Sequence, residues 1–125
     1  MHNLHWNVEG AKFMQVHEYT EELYEQFFEL YDEVAELIKM KGEFPLVKAN
    51  DYADNATIEE LESKPFADQE VLEIVKSDLE EMKSLATEIR AEADEVDDFE
   101  VVGEFEEHIA HYSQNLWFLE SMLSE

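Results

Sequence analysis

From Ala11 to Met40 the apolar residues fall on a helical repeat. Phe13, Val16, Thr20, Leu23, Phe27, Leu30, Val34 and Leu37 follow one another by alternating steps of three and four. A stripe held over more than three heptads puts these side chains on one face of a single long helix. Such a face cannot be buried by its own helix, so the chain must pack other helices against it. Two more stripes answer that need: Val75, Leu79, Met82, Ala86, Ile89, Ala93 and Val96, then Val102, Phe105, Ile109, Tyr112, Leu116, Leu119 and Leu123. No strand-like alternation competes with them. Three Gly and two Pro in 125 residues leave few natural breaks, which favours a few long helices over many short elements.

The punctuation fits this reading. Gly10 turns the chain ahead of the first stripe, and Leu4 to Val8 before it reads as the end of an earlier helix. Gly42 suits the position just after a helix C-terminus, with Pro45 beyond it. The segment from Gly42 to Asn55 is the one long connection. Thr57-Ile58-Glu59-Glu60 has a capping-box pattern and predicts a short helix that must end before Pro65. Asp68 is placed to cap the second long stripe, and Asp97-Asp98 separates it from the third. The expectation is an all-α chain, one domain over residues 1–125. Its architecture is a four-helix bundle with the first helix mostly absent from this chain and a short helix in the long connection.

The charge balance excludes several functions. Against 33 acidic residues stand eight Lys and Arg, a formal net charge of −25. Leu, Ile, Val and Phe still supply 34 of the 125 residues, enough for a charged chain to collapse into a core. The cations are scattered among carboxylates, which argues against phosphate contacts with nucleic acid and against docking to an anionic membrane. No apolar run has the length of a membrane span or signal peptide. Without cysteine there are no disulfides, thiolate metal sites or cysteine nucleophiles. A reducing cytoplasm is the default compartment.

The residues that carry chemistry flank the Gly10 turn. A helical hairpin there brings His5 and His17 to similar depth, with Glu21 one turn past His17 on the same face. Asp32 and Glu36 form an i, i+4 carboxylate pair toward the far end of the long helix. Two imidazoles with carboxylates are a ligand set for Fe, Mn or Zn. His17 and Asp32 are 15 residues apart, roughly 22 Å along a helix axis. One ion cannot reach both in one chain. If two copies of the helix pack antiparallel about a two-fold axis, His17 of one lies opposite Asp32 of the other, and each pair of chains holds two equivalent sites. His2, His108 and His111 are read as ordinary surface or capping residues, with His108 and Tyr112 a solvated edge pair. Trp6 and Trp117 are read as core or interface residues.

His-x-x-His-Trp-Asn-Val-x-Gly (His2 to Gly10), Phe13, His17, Asp32 and Ala35-Glu36 together resemble the Dps-like branch of the ferritin superfamily, named for the DNA-binding protein from starved cells. The spacings from His5 to His17, His17 to Asp32 and Asp32 to Glu36 resemble that family's inter-subunit ferroxidase signature. The resemblance implies a hollow dodecamer with sites at its two-fold interfaces, built from His5, His17, Glu21, Asp32 and Glu36, with Trp6 alongside. It implies oxidation of Fe(II), commonly by hydrogen peroxide, and storage of the ferric product. It also implies acid-lined threefold pores, for which Asp97, Asp98, Glu104 and Glu107 are the candidates. Leu37 stands where the family often has Arg, and the basic tail with which some members bind DNA has no counterpart. The expected function is an iron-storing ferroxidase that consumes peroxide and does not bind DNA. The rival is a non-catalytic shell whose motif binds Zn or no metal.

Overall fold

The structure, a computed structural model, describes residues 1–124. Along the chain come α1 (His2–Asn7), β1 (Val8–Glu9), α2 (Phe13–Met40), α3 (Ala49–Asn55), β2 (Phe66–Ala67), α4 (Asp68–Glu95) and α5 (Phe99–Leu123). All three apolar stripes are helices, the first starting two residues later than the pattern alone suggested. The chain forms two compact units, one ending at Phe66 and the other starting at Ala67.

In the first unit α1 and α2 make a helical hairpin. Gly10 turns it at φ 133°, and the Phe13 amide closes the turn on the Gly10 carbonyl at 3.1 Å. Leu4, Val8, Val16, Thr20 and Leu23 are buried. Asn3 ties α1 to the later connection through its side-chain amide, which donates to the carbonyls of Leu61 (3.3 Å) and Glu62 (2.9 Å). β1 pairs with β2, where the Phe66 ring is buried. At the end of α2 the amides of Gly42 and Glu43 bond the carbonyls of Lys39 and Ile38. Gly42 adopts φ +83°, a conformation that costs a side-chain-bearing residue free energy and glycine very little.

The short helix is not where the capping-box pattern put it. It occupies Ala49–Asn55, and residues 56–65 contain no helix. Between Thr57 and Pro65 there is room for less than two turns, and the residue before a proline disfavours helical backbone. A helix so short does not repay nucleation without outside contacts, and Asn3 already takes the Leu61 and Glu62 carbonyls. The segment from Ala49 to Asn55 has better anchors. The Tyr52 hydroxyl donates to the Leu46 carbonyl at 2.7 Å and meets the Tyr31 hydroxyl, and the Asn55 amide bonds the Asp51 carbonyl at 2.8 Å.

The second unit is the hairpin of α4 and α5. Asp68 is the first residue of α4 rather than its cap, which is Ala67. Val71, Leu72, Val75, Leu79, Ala86 and Ala93 of α4 and Val102, Tyr112 and Leu119 of α5 are buried. Val96, the last member of its stripe, lies just past the helix end and is exposed. In the connecting turn Asp97 takes φ 56°, and the Asp98 carboxylate accepts from the Val101 amide at 3.4 Å, capping α5. Arg90 reaches Glu106 and Asp94, each at 3.7 Å; exposed pairs of this kind stabilise little. Among the described residues no helix is long and apolar enough to cross a membrane.

Candidate metal centre

The α1–α2 hairpin stacks the imidazoles of His5 and His17, with ring centroids 3.8 Å apart and planes inclined by 14°. Their contacts are reciprocal. His5 Nδ1 lies 2.7 Å from the His17 carbonyl oxygen, and His17 Nδ1 lies 2.8 Å from the His5 carbonyl oxygen. A carbonyl can only accept, so each Nδ1 carries a proton and donates it. In the neutral ring this leaves the lone pair on Nε2, the form in which imidazole binds a metal. The hydrogen bonds fix the tautomer and ring orientation before any ion arrives. His5 is buried and His17 half-buried.

Two neighbours pack against the pair. Thr20 Oγ1 sits 3.2 Å from His5 Nδ1 and is fully buried. Tyr24 sets its ring edge-on to His5, at 5.2 Å and 83° between centroids and planes. It stacks on His2 at 4.0 Å, and its hydroxyl donates to Glu21 Oε1 at 3.4 Å. Desolvation, followed by the nearby Glu21 carboxylate, raises the Tyr24 phenol above its ordinary pKa. Sequence reasoning missed both residues. Thr20 falls within the apolar stripe, where it is the one polar member, and that mismatch is the signal the sequence offers. An open groove of about 570 Å³, lined in part by His2, Tyr24, Phe27 and Phe28, runs beside Tyr24.

Glu21 is exposed one turn beyond His17. Asp32 and Glu36 lie exposed near the other end of α2. Because α2 is unbroken from Phe13 to Met40, the separation of His17 from Asp32 stays at roughly 22 Å. One chain therefore brings together His5 and His17, with Glu21 nearby, but not Asp32 and Glu36.

Other expectations need correction. His108 and Tyr112 are both buried, not a solvated pair; His108 Nε2 bonds Glu104 Oε1 at 3.0 Å, which satisfies the imidazole inside the hairpin. Burial, then the neighbouring His108, lowers the pKa of His111. His2 is exposed as expected. Trp6 and Trp117 are 69% and 63% exposed, so neither belongs to the core of this chain. Of the acids considered for a pore, Asp98 caps α5 and Glu104 holds His108, while Asp97 and Glu107 are exposed.

A family model described as Ferritin-like domain matches residues 1–125. The DNA protection during starvation protein of Helicobacter pylori is 29% identical over 124 residues, spanning 99% of this chain and 86% of the relative. The protein of that name from Brevibacillus brevis is 30% identical over 123 residues, spanning 98% of this chain and 82% of the relative. The crystal structure of Helicobacter cinaedi CAIP superposes with a TM-score of 0.95 at 35% identity, over 98% of this chain and 86% of that one.

Proposed function

Because the chain belongs to the ferritin-like family, in its DNA protection during starvation branch, we propose that it oxidises Fe(II) with hydrogen peroxide and stores the ferric product. The site is composite. His5, His17 and Glu21 come from one subunit of a homo-oligomer, and Asp32 and Glu36 from its two-fold neighbour. The full assembly in this reading is a hollow dodecamer in the cytoplasm. The observation that carries it is the His5–His17 clasp, which commits both Nδ1 protons and prepares both Nε2 atoms as donors.

Iron is the substrate. Imidazoles take the ferrous ion, and hard carboxylates favour the ferric one. Two Fe(II) ions each give one electron to one hydrogen peroxide, whose O–O bond breaks to leave both oxygens at the level of water. Hydrolysis of the two Fe(III) ions to ferric oxyhydroxide consumes two further waters and releases four protons in all. A carboxylate-rich surface concentrates the incoming cations. Nucleic acid has no part in this scheme, since the eight basic residues are dispersed among 33 acidic ones.

The test is the ferric absorbance that grows when Fe(II) and peroxide are mixed with the metal-free protein. His17→Ala and Asp32→Ala should each slow it by about tenfold or more, as loss of a metal ligand does at least as much as loss of its hydrogen-bonding support. Equal rates in the wild type and both variants would sink the assignment. Uptake of Zn(II) without any Fe(II) oxidation would instead favour a non-catalytic shell.

A further inference from the structure

We infer that Thr20 is a positioning residue for His5, an inference that rests on the proposed metal-binding role of the two histidines. Thr20 occupies an otherwise apolar stripe and is fully buried, where a valine of the same shape would pack as well and cost no desolvated hydroxyl. Its hydroxyl hydrogen is used locally, donated to the Val16 carbonyl at 2.8 Å, with the His17 carbonyl at 3.0 Å. That leaves the oxygen lone pairs, and His5 Nδ1 lies 3.2 Å from them.

The His5 Nδ1–H thus has two acceptors, the His17 carbonyl at 2.7 Å and Thr20 Oγ1 at 3.2 Å. The His17 Nδ1–H has one, the His5 carbonyl at 2.8 Å. A shared proton of this kind restrains ring rotation about χ2 and disfavours the tautomer that would place the proton on Nε2 and block metal binding. Thr20 makes His5 the more firmly prepared member of the pair. A threonine present only to bond its own preceding turn would be indifferent to the ion.

The experiment titrates Zn(II) calorimetrically into the metal-stripped oligomer, with Co(II) absorption as a second readout of ligand geometry. It compares wild type, Thr20→Val, Thr20→Ser and His17→Ala, with thermal midpoints as the folding control. Thr20→Val should weaken Zn(II) binding about tenfold and alter the Co(II) spectrum, and Thr20→Ser should restore both to within about twofold. Should Thr20→Val fail to assemble, Thr20→Ala against Thr20→Ser carries the same expectation. Equal affinity in wild type and Thr20→Val, or no recovery with serine, overturns the role of Thr20 while a weakened His17→Ala leaves the metal site standing. Equal affinity in wild type and His17→Ala takes down both.

Discussion

The His17 imidazole closes a backbone vacancy as well as preparing a donor. The last four carbonyls of a helix have no partner within it, and His5 contributes one of these in the six-residue α1. His17 Nδ1 supplies the missing hydrogen bond. A helix this short is marginal alone, so the residue that holds iron in the proposed function also holds α1 against α2. The juxtaposition of His5 and His17 was legible from Gly10 and the two helical segments. The reciprocity was not, because spacing names the side chains but not the carbonyls they find. His111 is the residue where pH should be felt. Its pKa is lowered in the folded chain, so the unfolded chain binds the proton first, at the ordinary histidine value near 6.5. Its neutral form is accommodated fully above that value, and the native state loses stability as pH falls through it. Thermal midpoints from pH 7.5 to 5.5 should therefore decline less steeply for His111→Gln than for wild type.

The ends of elements show where sequence patterns carry weight. Gly42 was recognisable as a C-terminal stop because few residues other than glycine accept its left-handed backbone. The turn at Asp97-Asp98 was recognisable because it interrupts two apolar stripes. The position of the short helix was not recognisable. A capping box promises two hydrogen bonds, whereas α3 is held by contacts of Tyr52 with Leu46 and with Tyr31, which is 21 residues away. Long-range anchors of that kind leave no local trace. The two recognisable ends give a matched expectation in chemical denaturation. Asp98→Ala should cost about 1 kcal/mol through the lost cap. Gly42→Ala should cost a similar amount, about 1–2 kcal/mol, from backbone strain alone, because a Cβ there meets nothing within 4 Å.

For the whole molecule, the family was legible from residues spread over His2 to Glu36, and the match extends over the full chain. The acidic composition narrowed function by exclusion but could not separate ligands from solvating carboxylates, since one acid in a chain this acidic looks like any other. What divides them is distance along α2. A rigid rod of 28 residues carries His17, with His5 of α1 clasped to it, near one end and Asp32 with Glu36 toward the other, so in the proposed function no subunit can complete a site from its own residues. This has a genetic corollary. In a mixed pair of His17→Ala and Asp32→Ala chains, one site inherits both lesions and the other inherits neither. Two inactive proteins, denatured together and reassembled at equal amounts, should therefore regain about a quarter of the wild-type sites, because half the two-fold pairs are mixed and one site in each is intact. Ferroxidation that stays absent after co-assembly would mean that each chain works alone.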